Sequence, residues 1–315
     1  MTEERILQWW TTHFEGQDLQ SISTMGGSLS RNDLYLINDK MVLKIYNEVF
    51  NRFAKETKAL KVLQKSDLAP QIIYKTRRDP VFGTNTVLMS FVEGCNLLHT
   101  FYLYDKQQQV EILKKIAKTI QALHQSKVKA EFKLPSYALT KDLENLLGKR
   151  RVLKYAPTEI IELARNKLKA IEPQIITGQG VFTHGDLHLG NFMVCGDQVK
   201  IIDFEFAKID FAWRETTNLI KFFLVGSDDL IKQSEHLANV YAYGNLVESL
   251  KILAQHSPTV FDKQAKVWIE VLMLKQILGA FAHDPKDWMV TRYHAGAKFM
   301  FDILFQQDLL SQLLS

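Results

Sequence analysis

The sequence has little of what would mark a secreted, membrane-spanning or nucleic-acid-bound protein. Only two cysteines occur in 315 residues, Cys95 and Cys195, with no metal-type spacing between them. A reduced intracellular setting, the cytoplasm, is the simpler expectation. No apolar run approaches the roughly 20 residues needed to cross a bilayer. The opening Met-Thr-Glu-Glu-Arg lacks a basic start followed by an apolar core. Neither a secretory signal nor stable membrane association is therefore expected. The net charge is +4, from 39 basic and 35 acidic residues spread along the chain, too mild a surplus to argue for nucleic acid as a partner. Internal repeats and low-complexity segments are missing as well.

What is present is an ordinary globular composition, 46% hydrophobic and 23% charged, long enough for two domains or one bilobal unit. Residues 3–14 carry Ile6, Leu7, Trp9, Trp10 and Phe14 at helical spacing, and the tryptophans read as caps of a core. From Leu19 the pattern turns to short strands, broken at Gly26-Gly27-Ser28 and resumed over Leu34–Ile37 and Met41–Tyr46. The last is apolar except for Lys44, and a lysine inside such a strand calls for a partner. Helical spacing returns over Glu48–Lys65, with Glu56 one turn before Leu60. Ile72–Tyr74 and Thr86–Phe91 read as further strands, and Val92-Glu93-Gly94 closes the strand-rich part. Beyond it the spacing predicts helices over Gln107–Gln125, Lys141–Leu147, Thr158–Ile176, Thr216–Val225, Asp229–Asn245, Val260–Phe281 and Asp287–Leu310, with one hairpin among them. Lys149-Arg150-Arg151 is a basic cluster whose default is a solvated surface, the alternative being an anionic-ligand site.

The hairpin organises the chain. Phe192–Cys195 and Gln198–Ile202 flank Gly196-Asp197, a dipeptide suited to the positive φ angles of a tight turn. That turn pairs Cys195 with Gln198 and Val194 with Val199, and by continuation Asn191 with Ile202, so Asp203 emerges beside Asn191. An amide oxygen and a carboxylate at the open end suit a small hard cation such as Mg²⁺, which shares oxygen ligands with a substrate phosphate. Asp186 precedes Asn191 by five positions, on the loop feeding the hairpin.

The order Asp-x-x-x-x-Asn followed by a strand ending in Asp-Phe matches the protein kinase template. His184-Gly185-Asp186-Leu187-His188-Leu189-Gly190-Asn191 together with Ile201-Ile202-Asp203-Phe204-Glu205-Phe206 resembles the aminoglycoside phosphotransferase and choline kinase superfamily more closely. The likeness covers most of Gly26 to Glu215. It implies an α+β, bilobal protein-kinase-like fold: a small antiparallel N-lobe with one main helix over residues 1–92, and a mainly helical C-lobe over 93–315 with the catalytic loop and hairpin. It implies ATP and Mg²⁺ as cofactors and a small-molecule hydroxyl as phosphate acceptor. Asp186 would be the catalytic acid or base, Asn191 and Asp203 the metal ligands, Lys44 the phosphate-binding lysine and Glu56 its helix partner, with Glu48 as fallback. Gly26, Gly27 and Ser28 would form the nucleotide loop, and Ser90, Phe91 and Val92 the segment that reads adenine. Glu205 would reach the metal or a cationic acceptor, and His188 is an accessory residue of open role. His184 reads as an organiser of the loop. Members of this superfamily usually carry an aspartate near the start of the following helix, where this chain has Arg214-Glu215.

Two other classes share these letters. His184-x-Asp186-x-His188 has a spacing seen in zinc hydrolases, and a non-catalytic ATP-binding module would keep the fold without transfer. Within the kinase reading, Trp268 and Asp-Phe-Glu-Phe are similar to choline and ethanolamine kinases, whose pocket encloses an ammonium with aromatic faces. Aminoglycosides, amino alcohols and sugars are all open as acceptors. A protein hydroxyl is disfavoured because no Ala-Pro-Glu activation segment follows Asp203.

Overall fold

The computed structural model describes residues 2–25, 32–47, 52–128, 130–171, 175–226, 236, 240, 244–284 and 288–314. They fall into two compact units, Met1–Thr100 with Leu189–Lys208, and Phe101–His188 with Ile209–Ser315.

The first unit is built on five strands, β1 (Ile22–Thr24), β2 (Asp33–Ile37), β3 (Met41–Ile45), β4 (Ile72–Thr76) and β5 (Thr86–Ser90), in the order β1-β2-β3-β5-β4. All neighbours are antiparallel. Helix α1 (Glu3–His13) lays Ile6, Trp9 and Trp10 against Tyr35, Ile37, Leu43, Ile45 and Leu88 of the sheet. Trp9 is fully buried, and its Nε1 donates to Asp79 Oδ2 at 2.8 Å, which ties α1 to the turn after β4. The tryptophans are core residues, as their spacing implied. Helix α2 (Phe53–Leu63) follows β3; residues 48–51, Glu48 among them, lie outside the described ones.

Short strand β6 (Cys95–Asn96) and helix α3 (Leu97–Thr100) end this stretch of chain. The central hairpin, β9 (Phe192–Cys195) and β10 (Gln198–Ile201), groups with this unit because β6 pairs with β9. Ile201 N–H also donates to the Leu68 carbonyl at 2.8 Å.

The second unit is mainly helical. Its described helices are α4 (Lys106–His124), α5 (Ser136–Leu147), α6 (Arg150–Tyr155), α7 (Thr158–Ala170), α8 (Thr216–Val225), α9 (Val247–His256), α10 (Lys266–Ala280), α11 (Trp288–Phe301) and α12 (Leu309–Leu313). Helix α4 starts on a capping box, Asp105 accepting from Gln108 N–H while the Gln108 side chain accepts from Asp105 N–H. Helix α10 is buried on all sides, Trp268 through Leu274 in succession, and packs against α5, α7 and α11. Such an all-round apolar helix belongs in the middle of a bundle. Among the described residues, no helix is long and apolar enough to cross a membrane.

One expectation fails here. The spacing after residue 94 predicts helices apart from the hairpin, one of them over Thr158–Ile176. Helix α7 instead stops at Ala170, and β8 (Ile175–Thr183) pairs antiparallel with β7 (Ala130–Pro135) in a three-stranded sheet closed by β11 (Lys208–Asp210). Gly180 explains both the pairing and its disguise. A Cβ there would stand 2.8 Å from Phe132 Cβ and 2.9 Å from Ile209 Cγ2, so the strands approach closely only because the residue has none, while glycine is a weak strand former. The remaining predicted helix over Asp229–Asn245 lies mostly outside the described residues.

Candidate active site

Lys44 sits in β3, the central strand of the sheet, with Leu34 and Val87 opposite it on the flanking strands. A central-strand position buries the side chain, leaving it 3% exposed, and a buried ammonium must be paired. It meets three carboxylates. Nζ lies 2.8 Å from Glu56 Oε2, 2.8 Å from Glu205 Oε1 and 3.1 Å from Asp203 Oδ1. Glu56 comes from the first turn of α2, and Asp203 and Glu205 from the chain leaving β10. Tyr46, two residues beyond Lys44, donates its hydroxyl to Glu56 Oε2 at 2.5 Å. Asn32 donates Nδ2 to Glu205 Oε1 and accepts the Asn47 N–H at 3.0 Å.

Burial alone would lower the Lys44 pKa, but the fields of Glu56, Asp203 and Glu205 outweigh it and hold the ammonium above its ordinary value. Burial pushes the Glu56 carboxyl up against the pull of Lys44. It also drives the Tyr46 hydroxyl well up, with Glu56 adding to the effect. The lysine is thus a cation and the tyrosine a donor. The upward shift of Glu56 does not contradict this, because Glu56 is wholly buried and also feels Asp203.

The hairpin has the expected register. Gln198 pairs with Cys195, Val199 with Val194 and Ile201 with Phe192, and Ile202 N–H donates to the Asn191 carbonyl at 3.0 Å. Asp203 therefore leaves the hairpin beside Asn191. At the turn only Gly196 takes a positive φ, +59°; the expectation of two such residues is corrected, since Asp197 keeps a negative one. Asp203 itself is left-handed, with φ +64° and ψ +67°, a conformation that costs an L-residue roughly 1–2 kcal/mol. It turns the chain into a 3₁₀ turn over Phe204–Phe206, and from that turn Glu205 reaches Lys44. The Asp203 side chain is 41% exposed, accessible to a ligand while touching Lys44.

Carboxylate oxygens of Glu56, Asp203 and Glu205 lie within 4.8 Å of one another. Among the described residues this is the group of three or more ligating side chains that forms; His184, Asp186 and His188 do not form one. Oxygen donors of this kind suit Mg²⁺. Asn191 is buried in the short helical turn Leu189–Asn191. Gly26, Gly27 and Ser28 lie outside the described residues. Ser90 N–H donates to the Gln71 carbonyl at 2.8 Å and Phe91 N–H to the Lys40 carbonyl at 2.7 Å. Two of the amide donors in the Ser90–Val92 segment are therefore engaged within the unit.

In the second unit, the loop bearing Asp186 is held from beneath by Glu215. Its Oε1 accepts the N–H groups of His184 at 2.6 Å and Gly185 at 3.0 Å, and its Oε2 faces His124 Nε2 at 2.5 Å. All but Gly185 are buried. Glu215, at the position where the superfamily usually carries an aspartate, makes these contacts, a role that the sequence did not single out. His124, read as structural, is its partner. His184 Nδ1 accepts the Asp186 N–H at 3.3 Å, the loop-organising role expected of it, which leaves that nitrogen no lone pair for a metal. His188 Nε2 is 3.9 Å from Asp186 Oδ2, and its ring stacks on Phe222 with centroids 5.6 Å apart. Trp213 and Trp268 are buried core residues, Trp213 stacking on Phe211, so neither offers a face to an ammonium ligand.

A strand-borne lysine paired to a helical glutamate, joined by an aspartate at the open end of a hairpin, within an α+β fold of a strand-rich and a helical unit, defines a kinase-like class. The chain belongs to the phosphotransferase enzyme family, whose model matches residues 26–249. The fold is shared with the GDP complex of wild-type aminoglycoside 2'-phosphotransferase-IIIa, at 14% identity over 97% of this chain and 100% of that one, TM-score 0.62. Choline kinase from Cryptosporidium parvum aligns over 100% of both chains at 16% identity and TM-score 0.63. A choline/ethanolamine kinase family protein from Mesorhizobium loti aligns over 99% of this chain and 98% of that one, at 15% identity and TM-score 0.58. No curated protein matches the sequence.

Two predictions follow from these contacts. Glu215→Ala leaves two amides and a histidine without their acceptor, and should destabilise the protein by about 3–5 kcal/mol, with faster amide exchange at His184 and Gly185. Unchanged exchange there would contradict the role given to Glu215. Lys44→Met removes the cation beside Glu56, whose carboxyl burial already pushes up, and raises that carboxyl further above its unfolded value. A raised carboxyl contributes stability below its unfolded pKa and loses it as pH rises through the folded value. The stability deficit of the variant, measured by urea unfolding, should therefore grow between pH 5 and pH 8.

Proposed function

We propose that the protein transfers the γ-phosphate of ATP to a hydroxyl of a small molecule. The observation that carries this reading is the cluster in which Lys44 joins Glu56 to Asp203, with Asp203 emerging beside Asn191. In this reading Lys44 binds the nucleotide phosphates and Glu56 keeps it aimed. Asn191 and Asp203 would hold Mg²⁺, for which their oxygens suit; bound there, the ion supplies neutralising charge to the phosphates. Gly26, Gly27 and Ser28 would bring backbone N–H groups to the phosphates, and Ser90 to Val92 would meet the adenine. Nucleotide binding is assigned to residues 1–92, and catalysis with acceptor binding to residues 93–315.

The acceptor oxygen attacks the γ-phosphorus, the bond to the β,γ-bridging oxygen breaks, and ADP leaves. Asp186 orients the hydroxyl and takes its proton. Positioning supplies most of the rate in such a reaction, which gives the Glu215 anchorage of the Asp186 loop its purpose. Glu205 is an accessory group that shares Lys44 and tunes its charge. An ATP-consuming enzyme with two free thiols fits the cytoplasm.

In an ATP-consumption assay with Mg²⁺, slow hydrolysis without acceptor is expected, falling at least about 100-fold in Asp186→Ala and ceasing on addition of EDTA. A rate unaffected by both would refute the assignment.

A further inference from the structure

An ammonium has three N–H donors, and Lys44 faces three carboxyl groups of its own chain. Glu56 Oε2 and Glu205 Oε1 each lie 2.8 Å from Nζ, and Asp203 Oδ1 lies 3.1 Å away. In the kinase template the corresponding lysine serves the helical glutamate and two phosphates of the nucleotide. Under that reading Glu56 stays, and both other carboxylates must yield their places to phosphate oxygens.

The three are held very differently. Glu56 is buried, and its Oε2 also accepts the Tyr46 hydroxyl at 2.5 Å. Moving it would strand a buried carboxyl. Asp203 makes the longest contact, and its side chain is 41% exposed. Water or a cation can take it over at small cost, and it is the expected ligand of Mg²⁺. Glu205 is only 14% exposed, and a second residue fastens it. Buried Asn32 donates Nδ2 to the same Oε1 that meets Lys44, while Asn32 Oδ1 accepts the Asn47 N–H at 3.0 Å. The Asn32 amide is thus engaged at both ends, and one oxygen of Glu205 is gripped by a cation and a neutral donor together. Neutralising Lys44 does not require this third carboxyl group. Its charge beside the lysine opposes an incoming phosphate.

We propose that Glu205 is a displaceable counter-ion of Lys44, held in place by Asn32, and that the phosphates of a nucleotide bind by pushing it off. Asn32 is then a positioning residue, acting through Glu205. The meeting of phosphates with Lys44 rests on the phosphotransferase reading; the grip of Asn32 and Glu205 on that lysine does not. A Glu205 that served as a ligand of Mg²⁺ would act in the opposite direction, since its loss would weaken nucleotide binding.

The test titrates ADP with Mg²⁺ into the full chain by calorimetry, for the wild type, Glu205→Gln, Asn32→Ala and Lys44→Met. Glu205→Gln keeps the size of the side chain and removes its charge, and is expected to bind ADP at least about five-fold more tightly than the wild type. Asn32→Ala leaves the charge but loosens the carboxylate, and is expected to tighten binding about two-fold or more. A gain in affinity is a result that mere destabilisation does not give. Unchanged or weaker binding in Glu205→Gln would overturn the proposal, and that variant decides the matter if Asn32→Ala fails to fold. A gain in Glu205→Gln with none in a folded Asn32→Ala would overturn the part given to Asn32. Lys44→Met separates the two readings. Loss of ADP binding there, with no gain in Glu205→Gln, removes the displaceable counter-ion and leaves the phosphotransferase. Binding as tight as that of the wild type in Lys44→Met, or none in any sample, removes the phosphate role of Lys44 and the counter-ion proposal with it.

Discussion

Lys44 is the point on which the strand-rich unit depends. Withdrawing one ammonium and a carboxylate from water costs several kcal/mol per ion even after relaxation, and mutual attraction offsets it only where geometry and hydrogen bonding are good. Here the cation meets three carboxylates at 2.8 to 3.1 Å. Tyr46 and Asn32 occupy further acceptor sites on Glu56 and Glu205. Hydrophobic residues in place of both Lys44 and Glu56 would pack there with less cost. The arrangement therefore makes sense as a device for presenting charge, and the half-exposed Asp203 is where that charge is offered.

The elements around it serve the same end. Pairing of β3 between β2 and β5 fixes where Lys44 emerges, and α2 brings Glu56 to it. The hairpin carries Asn191 and Asp203 out together, and the left-handed Asp203 bends the chain so that Glu205 also reaches the lysine. In the other unit a buried glutamate performs the parallel task, accepting two successive N–H groups and so determining the path of the loop that bears Asp186.

Much of this was legible in the residues because the signals were local. Alternation on either side of Gly196-Asp197 fixed the hairpin register, and with it the proximity of Asn191 and Asp203. A lone lysine in an apolar strand called for a partner, and the family resemblance pointed to Glu56, with Glu48 as fallback; Glu56 is the one that pairs. What escaped depended on distant partners. Strand β8 holds Gly178 and Gly180, whose small size matters only against Phe132, Ile209 and Phe211, so its beginning was absorbed into the preceding helix. Glu215 looked like a departure from the family pattern, because nothing near it in sequence shows that a longer side chain can still reach the amides of His184 and Gly185. The hold of Asn32 on Glu205 joins residues 173 positions apart, which no window along the chain displays.

The central claim, that the Lys44 cluster exists to receive a nucleotide's phosphates with a divalent ion, is tested most directly by calorimetric titration of ATP into the protein with and without Mg²⁺. The account predicts Mg²⁺-dependent binding that is lost or greatly weakened in Lys44→Met and Asp203→Asn. ATP binding of equal strength in EDTA and in both variants would contradict it.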